Sequence, residues 1–130
     1  MTPARQSRPH AASAPHPGRT LGKAVVRAAA LLGMTQVEIA RMLGVSTATM
    51  SRIAAGGYVL TPGQKAWELA ALFVRLYRSL DALVGSNETQ ARAWLDGENL
   101  ALGAVPRKLM LTAEGLVRAV QYLDAARGRV

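Results

Sequence analysis

The segment 35–57 most constrains what this chain can fold into, because its sequence is typical of two short helices joined by a tight glycine turn. Thr35 and Glu38 stand three residues apart, which is the spacing of a capping box at the start of a helix. Gly44 stands where the first helix would end in a left-handed conformation. Ser46 is a good N-cap for the second helix. The sequence therefore predicts a helix-turn-helix.

The second predicted helix has an apolar inner face and a polar outer face. Met50 and Ile53 lie three residues apart, the spacing of a single helical face. An ordinary helical hairpin without a ligand would also show such a face. However, the capping box, the glycine turn and the polar outer residues occur together at one spacing, and this combination favours DNA as the partner. The outer residues are Thr47, Ala48, Thr49, Ser51 and Arg52.

This segment resembles the lambda-repressor-like (Xre) family of helix-turn-helix domains, which typically read T-Q-x-E-[LI]-A-x-x-L-G-V-S-x-x-x-[IV]-S-[RK]. Nearly every fixed position matches, and Met50 replaces the usual branched residue. The helix over 47–55 is then expected to enter the major groove, with Thr47, Ala48 and Arg52 facing base edges. Contacts to phosphates, which set the register on DNA, are expected from Gln36, Ser46, Thr49 and Ser51.

The charge of the chain also favours a polyanionic partner. Its formal net charge is +8, and a basic surface attracts nucleic acid. Residues 1–60 hold seven lysines and arginines and one acidic residue, whereas residues 61–130 hold nine and seven. The excess positive charge therefore belongs to the predicted helix-turn-helix half.

Several functional classes are disfavoured by what the sequence lacks. The absence of cysteine excludes disulfides and thiolate metal sites and fits a reducing cytosol. The longest apolar runs are too short to span a bilayer, and the first residues lack the apolar core of a secretory signal. Both histidines, His10 and His16, fall in the proline-rich beginning of the chain. We therefore expect a bacterial cytoplasmic protein without enzymatic activity, metal or cofactor.

The chain divides into four predicted segments, of which the first two carry the excess charge. Residues 1–19 are rich in Pro, Ala, Ser and Arg and cannot bury enough apolar surface to order themselves. They are predicted to be a disordered leader, and a basic arm that touches phosphates is the alternative. Residues 20–60 are predicted to hold the helix-turn-helix, with a first helix over 21–33.

Residues 61–85 predict a long core helix that also serves dimerisation. Thr61, Pro62 and Gln64 provide an N-cap, a proline at the first helical position and a capping glutamine. The apolar side chains cover more than one face, so one face is expected to pack on the helix-turn-helix and another on a second copy. The core stripe consists of Leu69, Leu72, Leu76, Leu80 and Leu83.

Residues 86–130 predict a small helical domain with a second ordered pattern. In it Asn99 turns a loop by bonding its own backbone, Pro106 begins a short helix, and Gly115 permits close backbone packing. The order of these residues is similar to the toxin-binding domain of the Xre–MbcA–ParS antitoxin family, although Glu98 replaces a frequent proline. The matching positions are Trp94, Leu95, Asn99, Leu102, Gly103, Pro106, Leu109, Met110, Thr112, Glu114, Gly115 and Gly128.

The resemblance implies an antitoxin of a type II toxin–antitoxin system. Such a protein is expected to neutralise a RES-domain toxin that consumes NAD, by placing its C-terminal end over the active-site entrance, and to bind its own promoter. A solvated, frayed end is the alternative for the terminal arginines. On the resemblance, the toxin-contacting residues are expected to be Tyr122, Arg127, Arg129 and Val130.

A stand-alone, phage-like repressor is the alternative function. It explains residues 20–85 equally well but leaves the pattern from Trp94 to Gly115 without a role. Either function implies the same fold class. No segment shows the two-residue alternation that is typical of a strand. The prediction is an all-α protein with a lambda-repressor-like helix-turn-helix bundle, a long connecting helix and a small C-terminal helical domain.

Overall fold

Seven helices joined by short connections make up residues 16–128, the part of the chain that this computed structural model describes. No strand occurs among those residues, so the predicted all-α fold is confirmed. None of these helices is long and apolar enough to cross a membrane. The helices are α1 (Pro17–Leu32), α2 (Gln36–Leu43), α3 (Thr47–Ala55), α4 (Lys65–Leu83), α5 (Glu88–Asp96), α6 (Pro106–Leu109) and α7 (Ala113–Gly128).

Helix α1 begins at Pro17 rather than at the predicted Leu21. The Nδ1 atom of His16 accepts a hydrogen bond from the N–H of Gly18 at 3.2 Å and so caps the helix, and proline is favoured at the first helical position. Pro17, Gly18 and Arg19, which the sequence assigned to the leader, therefore belong to α1. The rest of the predicted disordered leader before His16, for which a basic arm was the alternative, lies outside the described residues, as does His10.

Helix α4 is the centre of the fold and packs against α7, α1, α2 and α5. One continuous core runs from the first three helices through α4 to α7. Of the predicted leucine stripe, Leu69, Leu76 and Leu80 are buried, Leu72 is half-buried and Leu83 is 43% exposed. Leu83, which differs, is the last residue of α4.

The start of α4 also differs from the prediction. The side-chain oxygen of Gln64 accepts the N–H of Thr61 at 3.2 Å, so the expected capping contact exists. It closes a turn before the helix, however, because Gly63 has a φ of 94°, a left-handed conformation that a right-handed helix does not accommodate. Pro62 therefore lies in that turn, and the helix begins at Lys65.

The C-terminal helices follow the sequence signals closely. Asn87 caps α5 by accepting the N–H of Gln90, and Pro106 is the first residue of α6. The hydroxyl of Thr112 accepts the N–H of Gly115 at 3.1 Å at the start of α7. A Cβ atom on Gly115 would overlap the carbonyl of Leu109, so the predicted close packing at this glycine is confirmed.

Candidate functional site

The turn between α2 and α3 is built as the sequence predicts. The hydroxyl of Thr35 accepts the N–H of Glu38 at 3.1 Å, and the Glu38 carboxylate accepts the N–H of Thr35 at 2.9 Å. This reciprocal pair is a capping box. Gly44 then ends α2 with a φ of 72°, and Ser46 caps α3 by accepting the N–H of Thr49 at 3.0 Å. Local hydrogen bonds therefore set where each helix of the pair begins.

The inner face of α3 fixes which side chains of this helix face solvent. Met50 and Ile53 are 2% and 4% exposed and belong to the core. Thr49 is half-buried, and its hydroxyl oxygen accepts a hydrogen bond from the Ser46 hydroxyl at 3.0 Å. The structure thus brings most of the predicted DNA-contacting side chains to the surface on or beside one helix. The exposed members of that set are Gln36, Ser46, Thr47, Ala48, Ser51 and Arg52.

A basic ridge on α1 lies beside the C-terminal end of α3. Arg19, Lys23 and Arg27 are exposed and follow one another at intervals of four residues, so they share one face of the helix. They line a cleft of about 260 Å³ together with Gly56 and Tyr58, which follow α3. Positive charge on α1 therefore lies next to the C-terminal end of α3.

Arg107 on α6 reaches across to the helix-turn-helix. Its guanidinium donates to the carbonyls of Leu32 and Gly33 at 3.2 and 3.3 Å. It also lies 3.4 Å from the Glu38 carboxylate and 2.5 Å from that of Asp96. The hydrogen bond to Asp96 raises the pKa of Arg107 above its ordinary value, against the opposing effect of partial burial. Arg107 is thus a fixed cation between the two halves.

Arg92 on α5 makes the same kind of contact two residues earlier in the chain, with the end of α1. Its guanidinium donates to the carbonyls of Leu31 and Ala30 at 3.0 and 3.2 Å. The last carbonyls of a helix lack partners within the helix and carry partial negative charge. We call Arg92 and Arg107 the arginine clamp, since together they satisfy these carbonyls at the end of α1. Neither residue was predicted from the sequence, because their partners are remote in the chain.

The predicted toxin-contacting residues differ in what they touch. The ring of Tyr122 is half-buried and stacks on Trp94, with ring centroids 6.2 Å apart. Arg127 is exposed and donates to the Ser79 hydroxyl on α4 at 3.1 Å. Arg129 and Val130 lie outside the described residues. Of the four, the described Tyr122 and Arg127 contact different helices, α5 and α4.

A polar cluster ties the end of α7 to α4. Ser79 is fully buried, and its hydroxyl donates to Asp124 at 3.0 Å. The Asp124 carboxylate also pairs with Arg75 at 2.5 Å. Because Arg127 bonds to the same serine, the last turn of α7 is held against the centre of the fold. This cluster fixes the position of the last turn of α7.

An apolar groove with a basic rim lies between α1 and α4. Its volume is about 640 Å³. The α4 residues that line it recur at intervals of three and four, as residues on one helical face do. On the side of α1 it is lined by Pro17, Thr20, Leu21 and Ala24, and on the side of α4 by Trp67, Ala71, Val74, Arg75 and Arg78, with Arg127 at the end of α7.

No group of three or more metal-ligating side chains occurs within residues 16–128.

Two family models match the chain. An antitoxin Xre-like helix-turn-helix domain matches residues 14–75, and an antitoxin Xre/MbcA/ParS C-terminal toxin-binding domain matches residues 79–129. No curated protein matches it. The second model implies that a toxin is the partner. The two domains occur in the order that the sequence predicted and cover most of the chain, which therefore belongs to the Xre–MbcA–ParS antitoxin family.

Proposed function

We propose that this antitoxin neutralises a RES-type, NAD-consuming toxin and represses its own promoter as a homodimer. The observation that carries the proposal is that an Xre-like helix-turn-helix domain and a toxin-binding domain share one core around α4. Each half keeps an exposed surface of its own, on α3 in the first half and at the end of α7 in the second. One molecule therefore offers separate surfaces to two partners.

The outer face of α3 is the surface proposed for DNA. Arg52 is exposed, and arginine to guanine is the commonest specific contact in the major groove. Thr47 and Ala48, which are also exposed, are proposed to face the neighbouring base edges. Gln36 and Ser51 are assigned to phosphates, which position a protein on the duplex without reading its sequence. Ser46 and Thr49, whose hydroxyls bond to each other, are also assigned to the backbone.

The groove between α1 and α4 is the surface proposed for the second copy. Helix-turn-helix proteins bind two half-sites as symmetric dimers. Glu68 and Arg75 are exposed and lie two helical turns apart on α4. If two α4 helices pack antiparallel around Ala71, Glu68 of each copy lies near Arg75 of the other. The small side chain of Ala71 allows the helices to approach closely, and further burial of the half-buried Trp67 stabilises the pair.

The end of α7 is the surface proposed for the active site of the toxin. The contact between Arg127 and Ser79 holds the last turn of the helix in place. Residues that follow this turn, among them Arg129 and Val130, are proposed to enter the NAD pocket. A pocket that binds the pyrophosphate of NAD carries polar and cationic donors, and acidic or catalytic side chains near it would pair with arginine. Tyr122 contributes to the rim of the contact.

A stand-alone repressor is disfavoured because it would leave the matched region 79–129 without a role. The toxin proposal is tested by co-expressing the chain with the product of the adjacent reading frame. The two proteins are expected to co-purify. The free toxin is expected to deplete NAD, whereas the complex is not. A variant truncated after Arg127 should lose this protection while it still co-purifies. Full protection by the truncated variant would contradict the C-terminal mechanism.

The DNA proposal is tested separately by electrophoretic mobility shift with the promoter upstream of the chain. Binding is expected to weaken steeply as the salt concentration rises, because neutralised phosphates release counterions. A two-fold symmetric footprint would support the dimer. Equal affinity for random DNA and for the promoter at every salt concentration would contradict the repressor function. This result would leave the toxin proposal unchanged.

A further inference from the structure

Leu100 is the most exposed large hydrophobic side chain in the part of the chain that the structure describes. It is 91% exposed, compared with 64% for Val37 and 43% for Leu83. Single exposed apolar residues are common on protein surfaces, so exposure alone does not assign a role. The hydrogen bonds that fix the loop around Leu100 give a second reason to assign one.

That loop is fixed by a dense set of hydrogen bonds. Asn99 and Ala104 form an antiparallel bridge, with the Asn99 N–H donating to the Ala104 carbonyl at 3.0 Å. The Asn99 side chain accepts the N–H of Leu102 at 3.0 Å. Arg118 on α7 donates to the Leu102 carbonyl at 2.9 Å. Leu100 therefore stands at the tip of a turn whose backbone is held on both sides.

The Leu100 side chain does not contribute to the packing of the fold or to the formation of the turn. Turn tips favour Gly, Asn, Asp, Ser and Pro, each for a conformational or hydrogen-bonding reason that leucine does not share. The buried leucine of this loop is Leu102 instead, which is 6% exposed. Gly103 takes the left-handed conformation that closes the turn, with a φ of 70°. A polar residue at position 100 would serve this loop at least as well.

We propose that Leu100 is an anchor that inserts into an apolar pocket on the surface of the toxin. The inference rests on the proposed function and locates a contact that the active-site mechanism at the end of α7 does not include. Leu100 lies within the matched toxin-binding region, 79–129. None of the residues 99–104 lines the groove between α1 and α4, so the dimer does not account for its exposure.

The residues around Leu100 resemble the centre and rim of a protein interface, with an apolar neighbour beside it and charged residues nearby. Ala101, next to it, is also exposed and apolar, whereas Glu98 and Arg118 are exposed and oppositely charged. Apolar side chains at the centre of an interface contribute most when polar neighbours exclude water around them. A fixed loop also loses little conformational entropy on binding, which favours affinity. The partner surface is therefore a small apolar pocket.

The test measures the affinity of the full chain for the purified product of the adjacent reading frame by isothermal titration calorimetry. Leu100→Ala is expected to weaken binding about 30-fold, the effect of a hot-spot truncation. Leu100→Asp is expected to abolish it and to leave the operator affinity unchanged. Leu83→Asp is the matched control, because it places the same charge on another exposed leucine of the matched region. This control is expected to change the affinity less than about threefold.

The possible outcomes separate the inference from the proposed function. Wild-type affinity in Leu100→Asp would overturn the anchor while leaving the antitoxin function intact. Loss of self-association in that variant, with unchanged toxin affinity, would also overturn it and would assign the leucine to the dimer. Failure of the wild-type chain to bind this product would overturn both. Leu100→Asn suits the turn, so weakened binding by this variant with an unchanged melting temperature supports the anchor even if Leu100→Asp misfolds.

Discussion

Arg107 on α6 lies 3.4 Å from Glu38 on α2, and this ion pair joins the toxin-binding half to the helix-turn-helix. Glu38 is also the acidic member of the capping box that begins α2. The same guanidinium bonds the carbonyls at the end of α1 and the Asp96 carboxylate. One side chain of the second half therefore stabilises the boundary between the first two helices of the helix-turn-helix half.

Arg107→Ala is expected to destabilise the whole protein by about 2 kcal/mol, because it leaves carbonyls at the end of α1 and the Asp96 carboxylate without this donor. The Arg107 side chain is 18% exposed, so solvent replaces these bonds poorly. Arg107→Lys is expected to recover only part of the loss, since an ammonium group does not span the same partners as a planar guanidinium. Urea unfolding followed by circular dichroism measures both changes.

Lys108→Ala is the matched control for the clamp, because the neighbouring Lys108 is exposed. This variant removes one positive charge and is expected to change stability by less than about 0.5 kcal/mol. If Arg107→Ala unfolds at the same urea concentration as Lys108→Ala, the contacts of Arg107 contribute nothing to folding. A second transition in the Arg107→Ala curve would instead indicate that the two halves unfold separately.

The helix-turn-helix was predictable because its signals are local. Thr35 and Glu38 lie three residues apart, and Gly44 and Ser46 act on their immediate neighbours, so spacing alone indicates their contacts. The turn of Asn99 belongs to the same class. His16 was missed although it also acts locally, because histidine is outside the set of side chains that commonly cap helices.

The arginine clamp was not predictable from spacing. Arg107 pairs with a residue 69 positions earlier, and Arg92 bonds a carbonyl 61 positions earlier. No periodicity indicates such a pair, since the distance between them is set by how α5 and α6 pack against α1. The site on α3 was therefore accessible to sequence reasoning, whereas the structural support of that site by the second half was not.

Thr35→Ala and Ser46→Ala are each expected to destabilise the protein by about 1 kcal/mol, the usual effect of removing an N-cap hydroxyl. Each hydroxyl satisfies a backbone N–H at a helix start, and alanine cannot replace that bond. Thr89→Ala on the exposed surface of α5 is the control and should change stability by less than about 0.5 kcal/mol. Thermal unfolding compares the three, and equal midpoints would show that neither cap contributes.

Arg52→Ala is expected to lose about 1–3 kcal/mol of binding free energy at one base-pair position of the promoter and to relax specificity there. Arg41→Ala is the matched control, because it removes the same charge from an exposed position on α2. The control is expected to weaken binding equally for all sequences. Fluorescence anisotropy with a set of single-base operator variants distinguishes the two effects. An unchanged base preference in Arg52→Ala would place this arginine outside the groove.

Gly115→Ala and Gly128→Ala on α7 are expected to have opposite effects. A Cβ atom at Gly115 would overlap the Leu109 carbonyl, whereas one at Gly128 would meet no atom within 4 Å. Overpacking costs typically about 1–3 kcal/mol, so Gly115→Ala should be destabilising and should weaken toxin binding by displacing α6. Gly128→Ala should be neutral or stabilising by up to about 1 kcal/mol, because alanine favours the helix. Equal unfolding free energies for the two variants would contradict the close approach of α7 to the carbonyl end of α6.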